Sequence, residues 1–220
     1  MSNRSLVNAA LALALLAIFC RPIAALTFQD SFDDEPGGGD GASGLSGLNY
    51  ASFANWTVDS GTVDLISSGD FNIGCANGVG KCVDLDGSTS DAGLFVSTPL
   101  LLSPGTYILS FELAGAPSSF GGSAATPNFV DVSVGAFYSE QIERQQGDPF
   151  ETFGGEFFVT EPTTVSIVFD NPGDDNFGAL LDNLALRAPE PGIFALLGTG
   201  AFMLLVTADR QRLVDDRRRA

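Results

Sequence analysis

No histidine occurs in the 220 residues, which removes imidazole bases, Ser-His and Cys-His nucleophile pairs and imidazole metal ligands together. Oxygen chemistry is what remains. Of 27 acidic residues only Asp209, Asp215 and Asp216 lie outside the stretch Leu26 to Glu190, and of 10 basic residues only Lys81, Arg144 and Arg187 lie inside it, so the stretch carries 3 minus 24, or −21. A surface of that sign repels nucleic acid and anionic lipid and favours cations, divalent ones above all. Nucleic acid is thereby set aside as a partner. No spacing among the 24 acids singles out a pair for glycoside hydrolysis, and the chain is read as non-catalytic.

Asp182 stands out by position. It shares strand parity with Leu180, Leu184 and Leu186, which points it inward, where an unpaired carboxylate costs on the order of several kcal/mol. Its partner is expected to be either loop backbone N–H groups at a turn or a calcium ion held through oxygen ligands and shared with Asp30 or Asp33 of the first strand. The acidic run from Asp170 to Asn176 lacks EF-hand spacing and reads as a turn. Trp56 and Tyr50 sit near loops, where a flat ring can stack on a pyranose face while Asp and Asn hold its hydroxyls. Against that stands the plainer reading of a lone Trp on an alternating strand as core.

The elements that must position these groups are strands. Tyr107, Leu109, Phe111 and Leu113 alternate with Thr106, Ile108, Ser110 and Glu112, and Val130, Val132 and Val134 alternate with Asp131 and Ser133. Strands are expected over 26–32, 56–59, 62–66, 82–86, 93–102, 106–113, 129–137, 155–160, 164–170 and 179–186, separated by Gly, Pro, Asn and Asp. That count predicts an all-β, two-sheet sandwich of jelly-roll type over residues 26–187. The glycine-rich stretch 37–47 and the stretch 114–127 read as mobile surface connections.

Both ends carry targeting patterns. Arg4, the apolar run from Leu6 to Phe19 and the small-residue site Ile23-Ala24-Ala25 form a secretory signal peptide over 1–25, a signal helix removed before Leu26. Phe19 before Cys20 argues against lipidation, since that position is normally small. Export places Cys75 and Cys82 in an oxidising compartment, where six intervening residues with Asn77-Gly78 and Gly80 can turn and close a disulfide. A loop that short is worth about 2.5 kcal/mol on the chain-entropy model. At the other end Pro189-Glu190-Pro191-Gly192 leads into the apolar run 193–208 and then Arg210, Arg212 and Arg217-Arg218-Arg219. As a helix the run spans about 24 Å against a hydrocarbon core of roughly 30 Å, a short transmembrane segment with its basic end cytoplasmic.

In box, helix and basic tail, residues 188–220 resemble the PEP-CTERM sorting signal. Asp209, Asp215 and Asp216 depart from its purely basic end. The resemblance implies an exported protein of Gram-negative bacteria, an inner-membrane-anchored precursor recognised by an exosortase at Pro189, Glu190 and Pro191 and passed to the cell surface or extracellular matrix, in association with exopolysaccharide and biofilm. The alternatives are a carbohydrate-active enzyme and a membrane-tethered sugar-binding protein. The stretches Asn55 to Val58 with Val63 to Ile66, Val83 to Ser88 and Leu180 to Leu184 are similar to exported jelly-roll domains of carbohydrate-binding type. In such jelly rolls a calcium ion often ties the first strand to the last, which is what the resemblance implies for Asp30, Asp33 and Asp182.

Overall fold

The computed structural model describes residues 25–89, 91–116, 128–173 and 176–188. The expected signal peptide up to Ala24, the Pro189-Glu190-Pro191 box, the apolar run 193–208 and the basic tail lie outside the described residues. So does most of the stretch 114–127.

Among the described residues thirteen strands follow one another: β1 (Ala25–Asp30), β2 (Trp56–Ser60), β3 (Asp64–Ser67), β4 (Lys81–Asp84), β5 (Leu94–Ser97), β6 (Leu100–Leu102), β7 (Gly105–Ala114), β8 (Asn128–Val134), β9 (Tyr138–Arg144), β10 (Glu151–Val159), β11 (Thr163–Val165), β12 (Ile167–Asp170) and β13 (Leu180–Ala188). Two single turns of 3-10 helix, Asp70–Asn72 and Ala76–Gly78, interrupt the loop between β3 and β4. No helix among the described residues is long and apolar enough to cross a membrane. One sheet has the order β10-β7-β13-β4-β3 with β1 added against β13, the other the order β2-β5-β12-β8-β9, and β6 pairs with β11 as a small separate ladder. The fold is an all-β sandwich of jelly-roll type.

Alternation builds the core. On β7 Tyr107, Leu109, Phe111 and Leu113 are buried while Ile108 faces out, and across the sandwich Val130, Val132 and Val134 of β8 close the other side. Phe111 meets Phe169 of β12 edge to face at 5.1 Å, and Trp56 lies flat on Phe95 with centroids 4.5 Å apart. Such aromatic pairs add about 0.5–1.5 kcal/mol beyond their burial.

Three differences from the expected strands have physical causes. The run 93–102 breaks into β5 and β6 at Pro99, which has no N–H for a ladder. Its partner 164–170 breaks at the matching place, where the Ile167 N–H donates to Ser97 Oγ at 2.9 Å instead of to backbone. The expected strand 129–137 ends at Val134, turns through Gly135, and returns as β9. β9 escapes the hydrophobic pattern because it buries only Ile142 and Arg144. The Arg144 guanidinium is carried by Glu151 Oε2 at 2.7 Å, the Pro149 carbonyl at 2.5 Å and the face of Phe153 at 5.2 Å.

Candidate functional site

Where β1 ends, the chain makes a tight turn that sets up a cleft. Phe32 takes a positive φ of 60° and drives its ring into the core. The turn is held by Asp30, whose Oδ1 accepts the Phe32 N–H at 2.8 Å. Beyond it a single buried ammonium gathers the loop: Lys81 Nζ donates to the carbonyls of Asp33 and Glu35, both at 2.7 Å. The Lys81 N–H in turn donates to Asp33 Oδ1 at 2.7 Å. The preceding Gly80, at φ 73°, permits that approach, since a Cβ there would lie 2.0 Å from Asp33 Oδ1.

This clamp draws Glu35 under the surface. Its residue exposure is 5%; Oε1 accepts the Ala54 N–H at 2.9 Å, and Oε2 has no hydrogen-bond partner among the described residues. Burial pushes the carboxyl pKa up and the charge of Asp30 adds to the rise, while the Ala54 N–H and the Lys81 ammonium pull against it. Glu35 lines a cleft of about 720 Å³ together with Asp30, Asp34, Asn55, Asn183 and Arg187. Asn183 reaches the rim because β13 bulges against β7 between Asp182 and Ala185. There Asn183 adopts φ 49° and its Nδ2 donates to Glu112 Oε2 at 2.7 Å.

Asp182 does point inward and is 3% exposed. Its partners are backbone: Oδ1 accepts the Asn183 N–H at 2.7 Å and Oδ2 the Ala76 N–H at 3.1 Å. Ala76 is presented by the loop that the Cys75–Cys82 disulfide ties onto β4, with Cα atoms 5.5 Å apart. Burial raises the Asp182 pKa to about 7, with the charges of Asp33 and Glu112 adding to the rise against the two N–H donors.

The three carboxylates read as calcium ligands are thus engaged separately. Asp30 Oδ2 accepts from Asn55 Nδ2 and Trp56 Nε1 at 3.2 and 3.0 Å, Asp33 serves Lys81 and Ser31, and Asp182 serves two backbone groups. Among the described residues no three His, Cys, Asp or Glu side chains converge as a metal ion would require. Trp56 and Tyr50, read as candidate stacking platforms, are core residues at 2% and 7% exposure. Phe95 covers one face of the indole, and the Tyr50 ring meets Phe53 edge on at 4.7 Å.

The sandwich is similar in fold to solved sugar-recognition modules. The CBM22-1 xylan-binding domain of Paenibacillus barcinonensis Xyn10C aligns over 79% of this chain and 100% of its own at 11% identity, TM-score 0.46. The CBM22-1 and GH10 modules of Clostridium thermocellum xylanase 10B, complexed with xylohexaose, align over 78% of this chain and 30% of theirs at 10% identity, TM-score 0.46. The C-terminal CBM6 of LamC from Zobellia galactanivorans aligns over 65% and 98% at 11% identity, TM-score 0.39. No family model matches the chain and no curated protein matches it. At these identities the likeness is one of fold.

Several buried acids escape a reading of the sequence. Asp84 of β4 pairs in register with Asp64 of β3. It accepts the N–H groups of Asp86 and Gly178, both at 3.1 Å, and burial holds its pKa well above the usual carboxylate range, with Asp64 and Asp86 adding. Asp64 is satisfied by Asn49 N–H at 2.6 Å and by Ser88 Oγ at 2.6 Å. The signal was in the run Cys82-Val83-Asp84-Leu85, whose apolar residues on both parities mark a strand buried on both faces. The glycine-rich stretch 37–47 is also tied down: Asp40 bridges to Ser46 and Gly47 to Leu65. Asp70 draws it in through Ser43 Oγ and Ser46 Oγ at 2.6 and 2.7 Å.

Proposed function

We propose that the chain is a non-catalytic exported protein of the cell surface or extracellular matrix, made as an inner-membrane-anchored precursor, sorted by an exosortase through Pro189, Glu190 and Pro191, and associated with exopolysaccharide through its β-sandwich. The observation that carries this reading is the order of the C-terminal sequence, a Pro-Glu-Pro box, an apolar run over 193–208 and then five arginines. The compact unit runs from Leu26 to Ala188, β13 ends at Ala188, and the box begins at the next residue. Pro189 and Pro191 disfavour continuing a ladder or a helix, which suits the box to a protease-transpeptidase. A disulfide inside the unit accords with export.

For the sandwich itself, a polar cleft of about 720 Å³ falls within the size range of small-ligand sites. Asp30 already accepts three hydrogen bonds, from Phe32, Asn55 and Trp56, which suits it to a holding role rather than to the proton exchange or attack of glycoside hydrolysis. The test is fractionation in a host with an exosortase, comparing wild type with the triple variant Pro189→Ala, Glu190→Ala, Pro191→Ala. Wild type is expected outside the cell with the polysaccharide and the variant in the inner membrane. Identical distributions would overturn the sorting role.

A further inference from the structure

We propose that the cleft between β1, β13 and the loop before β2 binds one neutral sugar unit, with Glu35 as the buried acceptor of a ligand hydroxyl and Arg187 and Asn55 as donors at the rim. This rests on the association with polysaccharide argued above and specifies its chemistry. Glu35 lines the cleft, is drawn under the surface by the Lys81 clamp, and has its Oε2 buried with no hydrogen-bond partner among the described residues. A buried acceptor left unmade is costly, and a ligand that supplies the missing donor recovers that cost.

The donor inventory narrows the ligand. Asp30, Asp34 and Glu35 line the cleft with Arg187, three acidic residues to one basic, so a uronate or phosphate is disfavoured. Sugar hydroxyls suit the site because each is both donor and acceptor. A hydroxyl can give its proton to Glu35 Oε2 while the oxygen of a neighbouring hydroxyl takes one from the Arg187 guanidinium. The second proton of Asn55 Nδ2, whose first goes to Asp30, adds a further donor.

The bulge in β13 makes the pocket. By adding residues between Asp182 and Ala185 it turns Asp182 into the sheet and leaves Asn183 outside at the rim. Bulges commonly re-aim side chains beside binding sites.

The test uses the full chain in mild detergent, titrated calorimetrically with neutral xylo-, gluco- and galacto-oligosaccharides and with an oligogalacturonate as the acidic counterpart. Wild type is expected to bind a neutral oligosaccharide saturably and to ignore the uronate. Glu35→Gln, which keeps Oε1 for the Ala54 N–H, should weaken binding about tenfold or more. Arg187→Ala, at an exposed position, should weaken it with no change in melting temperature. Equal affinity in wild type and both variants would place the sugar elsewhere and overturn the cleft while leaving polysaccharide association intact. Uronate bound more tightly than neutral sugar would overturn the ligand class. If wild type binds none of the oligosaccharides, the cleft assignment falls, and co-purification of host polysaccharide with the protein then decides whether the broader association falls with it.

Discussion

Asp182 makes the sandwich less stable as the solution becomes more alkaline, and Asp182→Asn should remove that dependence. Its pKa rises from 3.8 to about 7 on folding, so the native state holds a proton that the unfolded chain has released. A raised carboxyl pKa gives stability that is complete below the unfolded value and lost as pH climbs toward the folded one. Between those values the slope is about −1.4 kcal/mol per pH unit for one proton, and the whole window is bounded at about 4 kcal/mol. Solvent relaxation around a side chain that already accepts two N–H groups cuts this to roughly 2 kcal/mol. For a folded unit of this size that is a melting shift of about 4–8 °C.

Urea unfolding of wild type and Asp182→Asn at pH 5 and pH 8 measures the effect. Wild type should lose about 1.3 kcal/mol over that interval, about two thirds of the discounted window, with Asp84 adding in the same sense because burial raises its pKa as well. The Asn side chain has no proton to lose and can still accept one N–H through its oxygen, so the variant should show a flatter profile and equal or exceed wild type at pH 8. A calcium ion seated on Asp182 would give another signature: millimolar calcium would raise the wild-type melting temperature at pH 8, and the variant would not respond. Parallel pH profiles for the two proteins would refute the reasoning.

Two further outcomes follow from the same region. Replacing Cys75 and Cys82 by serine opens the loop that presents the Ala76 N–H to Asp182. It should cost about 2.5 kcal/mol in urea unfolding, and thiol alkylation of the native unreduced wild type should find neither cysteine free. Lys81→Met strands the Asp33 and Glu35 carbonyls and should cost about 2–3 kcal/mol, read as a drop in the urea midpoint; an unchanged midpoint would show that the ammonium holds nothing.

The strands were legible wherever inward positions are apolar and outward ones polar, as on β7 and β8. β9 was not, because an arginine occupies one of its two buried positions and pairing alone, against β8, defines it. The burial of Asp182 was expected from parity with Leu180, Leu184 and Leu186, but the bulge breaks that parity, leaving Leu184 and Leu186 in the main core and Leu180 in a smaller cluster with Cys75 and Cys82, and its partner Ala76 lies 106 residues away. Glu35 was hidden for a different reason. It belongs to the run Asp33-Asp34-Glu35-Pro36, which by composition belongs in water, and it is submerged by Lys81, a residue whose neighbours in sequence give no sign of a loop forty-odd positions earlier. Trp56 could be read either way from its own strand, and packing against Phe95 decides for the core.

The sorting role rests on the stretch 188–220, and the mass of the mature protein tests it most directly. From a host that has an exosortase, the protein recovered outside the cell is predicted to begin at Leu26, to carry both cysteines oxidised, and to lack everything from Ile193 to Ala220. Recovery of a C-terminal peptide containing Arg217, Arg218 and Arg219 from that mature material would contradict it.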